Sequence, residues 1–374
     1  MRRDVDHMRR ALALAALARG KTSPNPMVGA VVVRRDRVVG EGWHRRCGSP
    51  HAEVEALNKA GPRAKGATLY VTLEPCFHHG RTPPCVDRVV ADGLAEVVIA
   101  VKDPDPRTDG RSIRKLRRAG LKVRVGVLKQ EAQQLNEIFF KNIRAGLPFV
   151  AGKCAQSLDG KTALASGASK WLTSAATRRY ARKIRDEYDA ILVGINTVLE
   201  DQPRLNGYRK RLTKIVLDST LRVPLEAVLF RPDPKRCLVV TTAAANNHKR
   251  EQLQGMGVDV LTAPGRRIDL SWLMDALMKR DLRSVLVEGG AHVLGSFLRA
   301  GLMDKMYLYY APKIIGRQDA LGSVVGLDTK DVNLALRLER WSIDKIDRDF
   351  LVTGYVCAAG KVFRKGEKDV YGHC

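Results

Sequence analysis

The sequence predicts a two-domain protein of the α/β class, and three observations support this prediction. The chain of 374 residues is too long for one ordinary hydrophobic core. In its first half, β-branched strand patterns alternate with helix patterns, which is typical of a layered unit built on one sheet. A second series of strands and helices begins at Gly146-Leu147-Pro148, so we place the domain boundary near residue 147.

The first domain, residues 1–147, is predicted to begin with an alanine-rich amphipathic helix that ends at Gly20. Its predicted strands are Ala30–Arg34, Arg37–Gly42, Ala67–Leu73, Glu96–Val101 and Leu121–Val127. Its further predicted helices are Ala52–Ala60 and Pro84–Asp92. The basic segment 111–124 alternates with Leu and Val as a surface helix and strand would.

The second domain, residues 148–374, is predicted to alternate strands with helices such as Ala175–Tyr188 and Leu270–Arg280. The predicted strands are Pro148–Lys153, Ala190–Gly194, Lys214–Asp218, Arg236–Thr241, Val258–Thr262, Ser284–Glu288 and Met306–Ala311. The polar residues 363–374 favour disorder.

Composition excludes several classes of protein. No apolar run reaches the roughly 18–20 residues that span a bilayer, so no membrane partner is expected. The seven cysteines lack the spacing of a secreted disulfide scaffold, which favours a reducing, cytoplasmic location. The net charge of +25 is spread over both halves with few aromatic residues. This distribution disfavours nucleic acid, and a phosphorylated small-molecule substrate or a generally basic proteome would explain the charge as well.

The pattern that indicates chemistry begins with His51-Ala52-Glu53 and continues with Pro75-Cys76 and Cys85. One imidazole and two thiols can bind a single zinc ion and leave its fourth position for water, as in catalytic sites. Glu53 would then move protons, in the manner of the zinc deaminase signature H-x-E…P-C-x-x-C. Here eight residues, Phe77–Pro84, separate the two cysteines, where the generic signature has two.

A closed structural zinc site is the alternative reading of these residues. Its fourth ligand would be one of four nearby side chains, His44, Cys47, His78 or His79. We favour the catalytic site, because a structural site has no use for the carboxylate of Glu53.

Beyond the signature, the first half resembles one known family. Thr22–Pro26, Val28-Gly29, the H-A-E triplet and the run from Leu73 to Cys85 are similar to the deaminase half of the bifunctional riboflavin-biosynthesis deaminase–reductases. That family widens the cysteine spacing with the insert H-H-G-R-T-P-P. The resemblance implies that Asn25 binds the pyrimidine and that His78 and Arg81 lie near the ribose phosphate. Phe77 replaces the serine common in the family.

The second half resembles the reductase half of the same family. Val285–Gly290 reads as a strand that runs into glycines, with a helix starting at Gly295, and a helix start attracts phosphate. The segments that carry the resemblance are Lys153, Ser157–Ala163, Trp171–Ser174, Arg185, Asp189–Leu199, Asp201, Asp218-Ser219 and Ala311–Lys313. The resemblance implies a cytidine-deaminase-like three-layer first domain and a second domain that resembles dihydrofolate reductase and uses NADPH.

The resemblance also implies contacts in the second domain. The NADPH contacts would be Ala155, Trp171, Thr197, Asp201, Ser219 and the loop from Gly290 to Ser296, in which Gly290 and Gly295 are the contacting glycines. The substrate contacts would be Lys153, Ser169, Arg185, Leu205 and Glu288. Lys153 and Asp201 are the candidates for the reductase acid. The family pattern D-D-P-x-L-T-x-R is altered between Asp201 and Arg209, where an acid is missing and the arginine comes one place late.

Together these expectations describe a bifunctional enzyme with zinc and NADPH as cofactors. The first domain would hydrolyse the 2-amino group of a diaminopyrimidinone ribosylamino phosphate, and the second would reduce the ribosyl group to ribityl. We expect a homo-oligomer. Two alternatives stay open from the sequence: a nucleic-acid or free-base deaminase with an appended binding domain, and a structural-zinc RNA-binding module.

Overall fold

The computed structural model describes residues 2–78, 83–231 and 233–357. The chain divides between Gly146 and Leu147 into two compact units. His79, Arg81 and the segment 363–374, each the subject of a prediction above, lie outside the described residues. Within the part of the chain that is described, no helix is both long and apolar enough to cross a membrane.

The first unit is built on a five-stranded sheet. Its strands, β1 to β5, are Gly29–Arg34, Arg37–Trp43, Thr68–Leu73, Glu96–Val101 and Lys122–Val125. The strand order is β2-β1-β3-β4-β5. The β1–β2 hairpin and the β1–β3 pair are antiparallel, whereas β3, β4 and β5 run parallel. The carboxyl ends of β3 and β4 therefore lie side by side at one edge of the sheet.

Helices cover both faces of this sheet. They are α1 to α6, which span Arg2–Ala16, Ala52–Ala60, Cys85–Ala91, Arg111–Arg118, Lys129–Leu135 and Glu137–Ala145. Alternate residues of β1 point to opposite faces: Val32 packs with α2, α3 and α4, and Val31 packs with α1, α5 and α6. The unit therefore has three layers, which confirms the predicted cytidine-deaminase-like architecture.

The second unit contains a nine-stranded sheet and a small two-stranded sheet. Strands β6 to β16 are Phe149–Gln156, Lys161–Ala163, Ala190–Gly194, Thr213–Leu217, Cys237–Thr242, Asp259–Ala263, Ser284–Val287, Lys305–Tyr310, Leu321–Gly322, Arg337–Ile346 and Asp349–Cys357. The large sheet has the order β11-β10-β9-β8-β12-β6-β13-β16-β15, and β7 pairs with β14. The first seven of these strands are parallel, and β16 and β15 extend the edge as an antiparallel hairpin.

The described part of the second unit also contains the helices α7 to α11, which span Ala175–Arg185, Ile195–Asp201, Asn247–Gly255, Leu270–Lys279 and Ala291–Arg299. Short 3₁₀ turns in the two units lie at Gly61–Ala64, Val228–Phe230, Pro234–Arg236 and Val332–Leu334. Two apolar clusters flank the parallel strands, one with Leu273 and Phe297 and the other with Val198 and Leu253. Helices thus pack on both sides of the sheet, in agreement with the predicted α/β class.

Two features of the second unit differ from the sequence-based expectation. The helix after the glycines begins at Ala291, four residues before the predicted start at Gly295. A side chain at position 295 would meet the backbone of Val325, because an added Cβ would lie 1.8 Å from its carbonyl oxygen. Gly295 therefore has a packing role inside α11. The second feature is the long hairpin of β15 and β16, which sequence patterns did not reveal.

Candidate functional site

Three predicted zinc ligands converge in the first unit. His51 immediately precedes α2, Cys76 follows the end of β3, and Cys85 is the first residue of α3. One donor atom from each lies within 4.8 Å of the others. Across residues 2–78, 83–231 and 233–357, no other cluster of three or more His, Cys, Asp or Glu side chains could bind a metal ion in this way.

The donor atoms have the geometry of a preformed metal centre. The Nδ1 atom of His51 lies 3.0 Å from the Sγ atom of Cys85 and 3.6 Å from that of Cys76. The Cys85 backbone N–H donates to the Cys76 Sγ at 3.2 Å. The hydrogen bond with the Cys85 thiol, helped by His51, lowers the pKa of Cys76 to about 4. Because zinc binds thiolate and neutral imidazole, these residues fit a zinc ion with three protein ligands.

Glu53 lies beside this centre, in the first turn of α2. Its side chain is buried at 3% exposure and does not belong to the ligand cluster. Burial raises the pKa of the Glu53 carboxyl to about 7. The close packing of α2 on β2 fixes this turn, because a Cβ at Gly42 would lie 2.4 Å from the Ala52 carbonyl oxygen. A carboxyl group with this pKa can both accept and return a proton at neutral pH.

His44 connects Asn25 to the metal centre. Its ring lies edge-on to that of His51, with 5.2 Å between the ring centroids. The Pro50 carbonyl, 3.2 Å from Nδ1, can only accept a hydrogen bond, so Nδ1 carries the proton. Nε2 then accepts from the Asn25 Nδ2 at 3.2 Å, and burial lowers the pKa of His44. His44 thus orients the Asn25 amide, and it does not belong to the ligand cluster because both of its ring nitrogens have other partners.

Two of the other candidates for a fourth ligand, Cys47 and His78, are described and lie outside the cluster. Cys47 is exposed and lies outside the cluster. His78 contacts the Thr108 hydroxyl through Nδ1, at 3.4 Å. His79 lies outside the described residues. Among the described residues the cluster therefore has three ligands, the number found in catalytic zinc sites.

A buried carboxylate that the sequence did not single out shapes the neighbouring loop. Glu74, two residues before Cys76, accepts hydrogen bonds from the backbone N–H groups of Asp103, Gly110 and Ile113 at 3.3, 2.9 and 3.2 Å. These bonds hold the segment between β4 and α4. That segment brings Thr108 to His78 and also to the backbone N–H of Phe77. Glu74 directly precedes the Pro75-Cys76 pair of the zinc signature.

Phe77 has a defined environment in this chain. Its half-buried ring packs against the apolar cluster of the sheet. The guanidinium carbon of Arg111 lies 4.5 Å from the ring centroid, and the Lys115 ammonium lies 5.8 Å from it. Phe77 therefore holds two cations of α4 near His78. Arg81, the predicted phosphate ligand, lies outside the described residues.

In the second unit, three predicted substrate contacts form one buried ionic cluster. Arg185 Nε and Nη2 donate to the two carboxylate oxygens of Glu288 at 2.7 and 2.8 Å. The Lys153 Nζ lies 3.5 Å from the same carboxylate. Although burial alone would raise it, the pKa of Glu288 is lowered to about 2 by Lys153 and Arg185. This cluster stands at the carboxyl end of β12, where parallel sheets bind ligands.

Of the remaining predicted substrate contacts, Leu205 lies near the ionic cluster, whereas Ser169 makes no contact with it. Arg185 Nη1 also donates to the Asn206 carbonyl at 2.7 Å, which places Leu205 nearby as a buried side chain. Ser169 is half-buried, and no contact in the structure joins it to the three charged residues. Arg209 donates its backbone N–H to Asp186, with Arg209 Cζ 5.7 Å from the Tyr208 ring centroid.

One further residue near the ionic cluster was not predicted from the sequence. Tyr309 is 1% exposed, and its ring centroid lies 6.0 Å from the Lys153 Nζ. Its hydroxyl has no hydrogen-bond partner among the described residues. Burial and the nearby Glu288 raise the pKa of this hydroxyl, which therefore stays protonated. A buried tyrosine at a strand end is not distinguishable from a core residue by sequence pattern alone.

Of the predicted NADPH contacts, Gly290 and Thr197 lie in direct contact, whereas Ala155 and Ser219 lie on other segments of the chain. The Gly290 N–H donates to the Thr197 hydroxyl at 3.3 Å, next to the start of α11. Gly289 allows close packing there, since an added Cβ would lie 2.5 Å from the Gly194 nitrogen. This glycine cradle and helix start fit a phosphate-bearing cofactor. Ala155 lies in β6, and Ser219 is exposed at the end of β9.

Trp171 and Asp201 lie on the surface of the second unit. The Trp171 side chain is 62% exposed, with the Arg178 guanidinium carbon 4.3 Å from its ring centroid. The Asp201 carboxylate lies 3.5 Å from the Lys170 Nζ, and both side chains are exposed. Of the two candidate acids, Lys153 therefore belongs to the buried ionic cluster, whereas Asp201 has a separate ion pair.

Comparison with known proteins identifies relatives for both units. Residues 1–101 match the model of the cytidine and deoxycytidylate deaminase zinc-binding region, and residues 148–352 match the RibD C-terminal domain. The chain is 42% identical over 353 residues to the riboflavin biosynthesis protein RibD of Aquifex aeolicus, which covers 93% of this chain and 97% of that protein. It is also 42% identical over 336 residues to RibD of Escherichia coli, with 85% and 90% covered.

Solved structures give the same relatives. One form of Acinetobacter baumannii RibD shows a TM-score of 0.85 at 36% identity, with 95% of this chain and 99% of that chain covered. A diaminohydroxyphosphoribosylaminopyrimidine deaminase/5-amino-6-(5-phosphoribosylamino)uracil reductase from Thermotoga maritima shows a TM-score of 0.80 at 34% identity, with the same coverage.

Proposed function

Because the chain belongs to the RibD family of bifunctional riboflavin-biosynthesis deaminase–reductases, we propose residue roles for its two reactions. The protein is a zinc-dependent deaminase and an NADPH-dependent reductase. Its first unit deaminates 2,5-diamino-6-ribosylamino-4(3H)-pyrimidinone 5′-phosphate, and its second unit reduces the ribosyl group of the product to ribityl. The observation that supports the deaminase best is the convergence of His51, Cys76 and Cys85 beside the buried Glu53.

In the deaminase reaction, His51, Cys76 and Cys85 would hold the zinc ion, which when bound would supply an activated water molecule at neutral pH. As water adds to the ring carbon that bears the amino group, Glu53 would carry one of the water's protons to the ring nitrogen. It would then carry the second to the amino group, which leaves as ammonia. The Asn25 amide, oriented by His44, binds the pyrimidine. His78 and Arg81 bind the ribose phosphate. The guanidinium group of an arginine such as Arg81 can donate two parallel hydrogen bonds to two phosphate oxygens.

In the reductase reaction, NADPH supplies the hydride. Lys153, Arg185 and Glu288 bind the sugar phosphate together with Ser169 and Leu205, and Lys153 is the proton donor at Nζ. The position of Lys153 among the proposed substrate contacts supports this choice, whereas Asp201 pairs with Lys170 outside that cluster. The proposed NADPH contacts are Ala155, Trp171, Thr197, Asp201, Ser219 and Gly290.

The alternatives make different predictions in a single assay. Purified protein is given zinc, NADPH and the diaminopyrimidine substrate, and ammonia and NADPH are measured together. We expect ammonia release followed by NADPH oxidation. Glu53→Ala should stop ammonia release but still oxidise NADPH when the deaminated intermediate is supplied. Salt-sensitive RNA binding without NADPH oxidation would instead support a nucleic-acid deaminase or a structural-zinc RNA-binding module.

We further propose that the protein works in the cytoplasm as a homo-oligomer. The described cysteines are all free, which suits a reducing compartment. Strand β15 exposes Trp341 and Ile343 at 60% and 58%, and such an apolar edge strand favours pairing with another chain. Light scattering coupled to gel filtration tests the assembly, and a mass of one chain would contradict it.

A further inference from the structure

The side chain of Asn136, which is distant from the zinc ligands along the chain, holds the loop that contains Asn25. The Met27 N–H donates to the Asn136 Oδ1 at 2.7 Å, and the Asn136 Nδ2 donates to the Met27 carbonyl at 2.8 Å. Asn136 is 2% exposed. The two bonds use both the donor and the acceptor of one amide against one backbone residue. They therefore restrain the orientation of the loop as well as its position.

Asn136 belongs to a part of the chain that neither family model matches. It lies between the end of α5 at Leu135 and the start of α6 at Glu137. This junction falls between the matched ranges 1–101 and 148–352. The helices α5 and α6 pack on the sheet face opposite to α2. Asn136 thus extends from that layer to a loop on which the deaminase site depends.

The fixed position of Met27 is transmitted to Asn25 over a very short distance. Only Pro26 separates the two residues, and its ring fixes the backbone angle φ. On the other side, the Asn25 N–H donates to the Thr22 carbonyl at 2.8 Å. The Asn25 side chain then contacts His44, whose ring packs against that of the zinc ligand His51. The loop is therefore held at Met27, at Asn25 and at Thr22.

We propose that Asn136 is a positioning residue of the deaminase site, which holds Asn25-Pro26-Met27 so that the Asn25 amide meets the pyrimidine ring. This inference rests on the deaminase function and on the role proposed for Asn25. Without the two bonds, the loop samples more conformations, and substrate binding must order it. Since the zinc ligands and Glu53 are held by other elements, the main effect falls on KM and much less on kcat.

Two substitutions test this role, each with an internal control. Asn136→Ala removes both hydrogen bonds. Asn136→Asp keeps the size of the side chain and an acceptor for the Met27 N–H. It replaces the donor to the Met27 carbonyl with a carboxylate oxygen, which repels that carbonyl. Gln134→Ala is the matched control, because this amide on α5 is exposed. Ammonia release is measured against diaminopyrimidine concentration. Zinc content and circular dichroism report whether the first unit of each variant is folded, and NADPH oxidation from the deaminated intermediate reports on the second unit.

For both Asn136 variants we expect KM for ammonia release to rise about tenfold or more, with kcat within about threefold of the wild type. Zinc content, NADPH oxidation and the kinetics of Gln134→Ala should stay unchanged. A wild-type KM in folded Asn136→Asp overturns the inference, even if Asn136→Ala does not fold. So does a fall in kcat accompanied by zinc loss, since that marks a general scaffold role. Absence of ammonia release from the wild type would instead contradict the proposed function itself.

Discussion

Glu53 is the residue on which the deaminase account depends most. Its carboxyl group is buried next to the three metal ligands, and burial raises its pKa to about 7. An ordinary glutamate has a pKa near 4.3 and would return a proton poorly at neutral pH. The sequence predicted this residue together with His51, because the H-x-E spacing places both at the start of one helix.

Glu53→Gln is therefore expected to lower kcat for ammonia release by about 10²- to 10⁴-fold, since an amide cannot transfer the proton. Glu55→Gln makes the same chemical change on the same helix and should have little effect. Both variants should retain zinc, as measured by elemental analysis. Ammonia release at the wild-type rate by Glu53→Gln would exclude Glu53 as the proton carrier.

The pKa of Glu288 is lowered, in contrast to the raised pKa of Glu53. Two cations hold its pKa at about 2, below that of a glutamate in an unfolded chain. The carboxylate therefore contributes stability above about pH 4.5, and this contribution is lost as the pH falls toward 2. Glu288→Gln should cost about 3 kcal/mol at pH 7, because two partly buried cations lose their partner.

The corresponding measurement is urea unfolding of the second unit as a function of pH. In a Trp43→Phe background, the remaining tryptophans all lie in that unit and report on it. Between about pH 4.5 and 2 we expect Glu288→Gln to lose less stability than the unsubstituted protein. Glu251→Gln, an exposed control, should follow the unsubstituted curve. Parallel curves for Glu288→Gln and its parent would show that Glu288 is not held ionised.

At the scale of elements, the loop between β4 and α4 depends on Glu74. The three backbone N–H groups bound to this carboxylate include two at the start of α4, which otherwise lack partners within the helix. Fixing this segment also fixes the contact between Thr108 and His78. The position of a predicted substrate ligand is thus determined by a carboxylate at the end of β3.

Glu74→Ala should therefore increase hydrogen exchange at Asp103, Gly110 and Ile113, because their amides lose their acceptor. Exchange in β1, on the other side of β3, should not change. Mass spectrometry on peptides covering residues 102–114 measures the effect. Unchanged protection of these amides would mean that the loop is held by other contacts.

Most strands and the helix that begins after His51 could be predicted, because their apolar periodicity is strong. The hairpin of β15 and β16 could not, since β15 is largely exposed and its apolar residues do not form a buried stripe. The Asn136 contact with Met27 could not be predicted either. It joins residues 109 positions apart through a side chain and a backbone group, and no local pattern marks such a pair.

At the scale of the whole molecule, two chemically unrelated sites share one chain. The metal centre lies in the first unit, and the buried ionic cluster lies in the second. The family relationship explains this combination, since the deaminated product of one unit is the substrate of the other. The two activities should therefore be separable by a treatment that affects only one site.

Removal of zinc provides the most direct test of this account. Protein treated with a chelator and then dialysed is assayed for ammonia release from the diaminopyrimidine substrate and for NADPH oxidation from the deaminated intermediate. We predict that ammonia release is lost and returns when zinc is added, whereas NADPH oxidation stays at the level of untreated protein. Ammonia release by zinc-free protein would contradict the assignment of His51, Cys76 and Cys85 as ligands of a catalytic ion.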